Sequence, residues 1–360
     1  MKVKISALAL LVAVTLSGCT SHSAETAKPA AAPEKAPAAQ DAALQQRELA
    51  DGLYEMAIGP KGDALYVAST EGFKDVQGGM IYKLDPKTLK TTGATHTDLK
   101  NFGADLDPRS GILYVTNSLD GGVSAINTAD GKVQARVMFK ERNKEGFPYG
   151  ARQVLLLDGM LYIGGVADPG VIWVVDAKTM KLKKTIQNAG KWVTGLHYSA
   201  QTKRLYVANG GGEVLVINPR TNRIEKRWKP LGEKDALLLN VAEDSATGRL
   251  FVTGSKAKTT LVLDIHTGAV IKQLPTGDAL GVKFNAKRNE IYLTQRDAGK
   301  VLSLDATSYA VKNSWSLPPH PNSLLLSADG NTLFVTVKQS FNKDHSTNGP
   351  DSIVRIDLNK

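Results

Sequence analysis

Seven copies of one short apolar triplet constrain this chain more than any other feature. They read LYV at 65–67, LYV at 113–115, LYI at 161–163, LYV at 205–207, LFV at 250–252, IYL at 291–293 and LFV at 333–335. Successive aromatics stand 48, 48, 44, 45, 41 and 42 residues apart. A unit repeated at that period buries its apolar face only against its neighbours, so the repeat governs the architecture. The second copy shows what one unit holds. Residues 113–133, LYVTNSLDGGVSAINTADGKV, form two alternating runs joined by an Asn/Asp/Gly loop and closed by Asp130 and Gly131. That pattern is a β-hairpin.

Each unit carries four strand signals, placed in the second at 103–106, 112–116, 123–127 and 132–139. The third strand ends on Asp85, Asn127, Asp176, Asn218, Asp264, Asp305 and Asp357 in turn. A short carboxylate or amide there bonds backbone N–H groups two residues on, so these seven are turn formers rather than a functional array. Four strands per unit and seven units specify an all-β fold, a seven-bladed β-propeller. A solenoid would need polar capping repeats, and none is visible. The seventh unit lacks its fourth strand, and residues 44–50, ahead of the first inner strand at 54–58, are positioned to supply it. The expectation is that they pair with 353–358, complete the last blade and leave no free edge. Residues 44–360 then form one propeller domain and a monomer, since a closed ring needs no second copy to finish its core.

The first residues read as a sorting signal. Lys2 and Lys4 precede an apolar run over 5–16, too short to span a bilayer, and LSGC follows at 16–19. LSGC resembles the bacterial lipobox, which implies a signal peptide over 1–18 and lipidation of Cys19. Thr20 after the cysteine implies, by proteobacterial sorting rules, the periplasmic face of the outer membrane. Cys19 is the single cysteine, so no internal disulfide exists. Residues 19–43 are mostly Ala, Pro, Glu and Lys, the composition of a disordered tether.

With the architecture set, several stretches resemble a known family. YVTN at 114–117 followed by VSAIN at 123–127 matches the repeat of the YVTN-type, surface-layer-like propellers. Longer stretches are similar to the YncE-like members of that group: GGMIYKLDPKTL at 78–89, VIWVVDAKTMKLKKTIQNAGK at 171–191, FNAKRNEIYLTQRDAGKV at 284–301 and HPNSLLLSADGNTLFVTVKQ at 320–339. The resemblance covers roughly 50–358. It implies a periplasmic seven-bladed propeller associated with single-stranded DNA binding and without established catalysis. The lipobox and tether depart from that pattern.

Propellers carry function on the face where the loops between second and third strands, and those between blades, open around the channel. Those loops contain Glu71, Phe73, Lys74, Asn117, Asn209, Lys256, Arg296 and Lys338, then His96, Lys100, Phe102, Phe147, Tyr149, Arg152, Lys191, Trp192, Asn240, His320 and Asn322. Cations, aromatics and amides suit a ligand with phosphates and stackable rings. The candidate ligand-binding residues are Arg152, Lys191, Trp192, Lys256, Arg296, His320, Asn322 and Lys338, and the partner they imply is single-stranded nucleic acid or another anionic polymer. The formal net charge of +10, or +8 once Lys2 and Lys4 are removed, agrees. Lys178, Lys181, Lys183 and Lys184 surround an outer-strand turn and read as a solvated rim that protects the edge.

Catalytic patterns are thin. The mature chain has no Cys-His-Asp set, CxxCH, HExxH or G-x-S-x-G, and its histidines are dispersed, so neither a metal nor a cofactor is expected. A metal-dependent lactonase-like hydrolase would have to assemble Glu55, Asn117 and Asn240 and lacks a second carboxylate. A scaffold lipoprotein for envelope protein assembly is the other alternative, and it predicts an apolar patch. Gly164-Gly165 and Gly210 to Gly212 are hairpin turns without the Lys-Ser/Thr of a phosphate loop. Trp173 reads as packed between blades, Trp228 and Trp315 as outer-strand residues, and Trp192 as the stacking candidate.

Overall fold

The structure, a computed structural model, describes residues 43–73, 76–232 and 236–360. The signal, Cys19 and all but the last residue of the expected tether therefore lie outside the described residues, as does Lys74.

Seven four-stranded antiparallel sheets follow one another along the chain. Blade 1 is β2 (Leu53–Ile58), β3 (Leu65–Ser69), β4 (Gly79–Leu84) and β5 (Thr91–Thr97); blade 2 is β6 (Ala104–Asp107), β7 (Ile112–Asn117), β8 (Gly122–Asn127) and β9 (Val133–Met138). Blade 3 comprises β10 (Gly150–Leu157) to β13 (Lys181–Ile186), blade 4 β14 (Val193–Ser199) to β17 (Arg223–Trp228), and blade 5 β18 (Leu238–Asp244) to β21 (Val270–Leu274). Blade 6 runs from β22 (Ala279–Asn285) to β25 (Val311–Ser316). Blade 7 contains β26 (His320–Leu326), β27 (Thr332–Lys338) and β28 (Asp351–Asp357), and its outermost strand is β1 (Leu44–Ala50). β1 runs antiparallel to β28 with Leu44 opposite Ile356 and Ala50 opposite Asp351. The ring is thus closed by the N-terminal strand, as the repeat count requires.

The repeated triplet works as a joint between blades. All seven aromatics are buried. Tyr114 Oη donates to Ala177 O at 3.1 Å, Tyr162 to Pro219 O at 3.1 Å and Tyr206 to Ile265 O at 2.9 Å, each acceptor lying just beyond the third strand of the following blade. The threonine after the triplet adds a second joint. Thr116, Thr253, Thr294 and Thr336 donate to the inner-strand carbonyls of Arg152, Leu280, Asn322 and Tyr54 in the next blade. The same four hydroxyls accept the N–H of Gly103, Asn240, Gly281 and Ser323 in their own blade. Gly103 O also accepts Thr116 N, and the regular ladder of β6 begins one residue later than expected, with Ala104 opposite Val115.

The seven turn residues act as expected. Asp85 Oδ1 accepts Lys87 N and Thr88 N, and Asp264 and Asp305 repeat both bonds, while Asn127, Asn218 and Asp357 accept the N–H two residues on and Asp176 the one three residues on. Trp173 is fully buried and stacked on Phe139, centroids 4.0 Å apart, with Nε1 donating to Glu141. Trp228 and Trp315 lie in outer strands yet are nearly covered.

Candidate functional site

The inner strands bulge where they enter the channel. In blade 1 the ladder pairs Leu53 with Ser69 and next Met56 with Val67, leaving Tyr54 and Glu55 outside it. The same shift occurs in β10, β14, β18, β22 and β26. A bulge re-aims side chains, and here it stacks two layers at the mouth. The outer layer is Tyr54, Phe102, Arg152, Thr194, Leu239, Leu280 and Asn322. The inner one is Glu55, Gly103, Gln153, Gly195, Asn240, Gly281 and Ser323. Glycine is required at 103 and 195 because a Cβ there would sit 2.2 Å from Arg152 O and 2.4 Å from Leu239 O in the next blade.

The channel encloses about 2150 Å³, and its walls carry nine Lys or Arg against six Asp or Glu. All eight candidate residues line it. They do different things there. Among the described residues the Arg152 side chain has no hydrogen-bond partner; its guanidinium lies 5.1 Å from the Tyr54 ring and 5.7 Å from that of Phe102. Arg296 Nη1 donates to Asn322 Oδ1 at 2.7 Å, Asn322 Nδ2 to Ser323 Oγ at 3.0 Å, and Ser323 Oγ to Glu55 Oε1 at 3.0 Å. Neither arginine has an ion-pair partner among the described residues. Burial depresses the basicity of Arg296, and the positive charge of Arg152 depresses it further.

Lys338 is committed to the framework. It is 2% exposed, its ammonium donates to Leu53 O at 2.9 Å and to Asp351 Oδ2 at 3.0 Å, and it sits 4.0 Å from the Tyr54 centroid. His320 is held on both nitrogens, by Arg296 O at 3.2 Å and Ser340 Oγ at 3.0 Å. Lys191 lies over the Trp192 ring at 4.4 Å, both half-buried at the mouth, and Trp192 adopts φ 54°, a left-handed backbone rare for an aromatic. Lys256 is exposed at the rim.

Other residues of the face loops are structural. Asn117 is buried, bonded to Ser124 Oγ and Lys100 O. Asn209 is buried as well and bonded to Ala189 O. Asn117 therefore does not join Glu55 and Asn240 in the channel, and the trio considered for a metal is not assembled. Among the described residues no cluster of three or more His, Cys, Asp and Glu could hold a metal. Lys100 caps a loop through the carbonyls of Thr70, Gly72, Val76 and Gly78.

Tyr54 was not among the candidates, although it carries the cations on its ring. The signal was available: it precedes Met56 as Arg152 precedes Val154 and Asn322 precedes Leu324. The far half of the channel also went unforeseen. There His197 Nε2 meets Glu243 at 2.8 Å, and Asp105 accepts the N–H of Leu156 in the next blade while burial pushes its carboxyl up.

No family profile matches the chain. A protein named "Uncharacterized protein YncE" from Salmonella typhimurium is 39% identical over 326 residues, 89% of this chain and 92% of its own length. One of the same name from Escherichia coli O157:H7 is 40% identical over 320 residues, 88% and 91% of the two chains. "Antigen Lp49" of Leptospira interrogans is 24% identical over 72% of this chain and 59% of its own. Among solved structures, the β-propeller domain of Cps50 (Swd1) from Myceliophteria thermophila superposes with a TM-score of 0.65 over 87% of this chain and 99% of that one, at 11% identity, a likeness of fold alone.

Proposed function

Given that the chain belongs to the YncE family of seven-bladed propellers, we propose that it is a non-enzymatic binding protein whose channel mouth holds an anionic ligand, single-stranded nucleic acid being the version to test first. The observation that carries this reading is the Arg152–Arg296 pair, two guanidiniums kept at the mouth with no carboxylate of the described residues paired to either. A cation withdrawn from water without a counter-ion is costly, and an incoming anion relieves that cost. Trp192 and Phe147, the latter 40% exposed, stand at the same mouth as stacking surfaces. Tyr54 and Phe102 are too buried for that and instead seat the guanidinium. Against a scaffold role, the exposed large apolar residues among those described, Val76, Val133, Met138, Phe147, Leu182, Ile271 and Val311, are spread over blades 1, 2, 3, 5 and 6 and the loop between blades 2 and 3.

Titration with a fluorescent single-stranded oligonucleotide at several salt concentrations tests this. Micromolar or tighter binding is expected, with a log–log salt slope of roughly −2 if three cations are engaged. The variant Arg152→Ala/Lys191→Ala/Arg296→Ala should bind at least tenfold more weakly; equal binding by the variant, or none by either protein, rejects the reading.

The proposal extends to location: a lipid on Cys19 holding the body at the periplasmic face of the outer membrane. Cells fed a labelled fatty acid should incorporate it into the wild-type chain and not into Cys19→Ser. Equal labelling of both would dismiss the anchor.

A further inference from the structure

The anion-binding reading leaves open which kind of anion the pair is built for. Arg152 comes from the inner strand of blade 3 and Arg296 from a loop of blade 6, so the two reach the cavity from opposite sides of the ring. Both charges are fixed: guanidinium stays protonated in proteins. The side chains that hold them contribute nothing to neutralise them. Arg152 is seated on the Tyr54 and Phe102 rings, and Arg296 is bonded to the neutral amide of Asn322. Glu55, the acid of the layer beneath, is reached from Arg296 only through Asn322 and Ser323. The pair thus brings two positive charges to the mouth, with Asp297 and Asp351 near Arg296 but not bonded to it, and among the described residues the forked donors of Arg152 carry no hydrogen bond, a match for a compact dianion.

We propose that the Arg152–Arg296 pair is a clamp for a phosphate monoester, which enters the channel end-on. A monoester carries about −1.5 to −2 charge at pH 7 and presents three oxygens to forked donors. An internal phosphodiester of a nucleic acid carries one charge per phosphate and leaves half of the pair's charge uncompensated. The layer beneath offers Gln153, Asn240 and Ser323, all lining the cavity and all able to hydrogen-bond the hydroxyls of a phosphorylated sugar. The proposal rests on the anion-binding reading and narrows it from a strand lying across the face to a terminal group held inside the mouth. A nucleic acid 5′ end and a free nucleotide present the same chemistry.

The test uses the full chain and two oligonucleotides of one sequence, labelled at the 3′ end, one with a 5′-phosphate and one with a 5′-hydroxyl. The phosphorylated strand should bind at least tenfold more tightly, with Arg296→Gln abolishing the difference and Arg296→Lys, which keeps the charge but loses the fork, restoring part of it. If the Arg296 variants fail to melt cooperatively, Arg152→Gln carries the test, because its guanidinium makes no hydrogen bond among the described residues. The paired substitution Lys181→Gln/Lys183→Gln on the outer rim should leave the difference intact. A 5′-mononucleotide that displaces the phosphorylated strand at comparable concentration identifies a free metabolite as the source; displacement only by phosphorylated strands identifies a chain end. Equal affinity for the two strands overturns the clamp and leaves the anion-binding mouth standing, whereas no binding of either strand, the mononucleotide or inorganic phosphate overturns both.

Discussion

Replacing Asp351 with alanine is expected to destabilise the protein by about 3–5 kcal/mol, read as a lower midpoint of urea unfolding. Asp351 is 1% exposed. Its Oδ2 accepts Leu53 N at 2.8 Å and the Lys338 ammonium at 3.0 Å, while Oδ1 accepts Gln339 N at 2.6 Å. One carboxylate therefore binds blade 7 to blade 1 across the seam of the ring. Without it a buried ammonium loses its counter-charge and two backbone N–H groups lose an acceptor, and each such loss carries a desolvation penalty. The double variant Asp351→Leu/Lys338→Met should recover much of the loss, because it removes both charges together. A midpoint unchanged in Asp351→Ala would show that the seam is held elsewhere.

Deleting residues 44–50 is expected to lower the melting temperature by roughly 10 °C or more and to cause self-association. β1 is paired along its length with β28, and it also reaches sideways: Gln45 donates to Thr88 O at 2.9 Å, Arg47 to Thr91 Oγ1 at 3.0 Å and to Leu89 O. Its removal cuts blade 7 from blade 1 on the outside and bares the edge of β28, where Ile353, Val354 and Ile356 are fully buried. Scanning calorimetry and light scattering on the truncated chain check both effects. An unaltered melting temperature in a monomeric truncation would mean that the ring closes without this strand.

The fold was legible because its determinants are local. A Leu-Tyr-Val triplet names a second strand, an Asp or Asn closing the third strand names the next turn, and a missing fourth strand at one end points to a spare strand at the other. The mouth was legible only as a set of residues sharing one face. Which of its cations are available depends on partners that spacing does not reveal. Lys338 and Arg296 occupy the same position after their triplets, yet one meets Asp351 and the other only Asn322. Lys100 reads as a face cation and is spent on four carbonyls. Tyr54 went unseen because it reaches the channel through a bulge, and a bulge shows in the pairing register rather than in alternation of residue types.

The way β1 enters blade 7 sets the orientation of the whole disc. The mouth lies at the start of the inner strands, beside Tyr54, Arg152 and His320. β1 starts at the opposite end, with Ala43 O accepting Asp357 N beside the last strand's terminus, and runs towards the mouth to Ala50. Residue 43 therefore sits at the back of the disc. The channel mouth and the start of β1 thus lie on opposite faces of the disc.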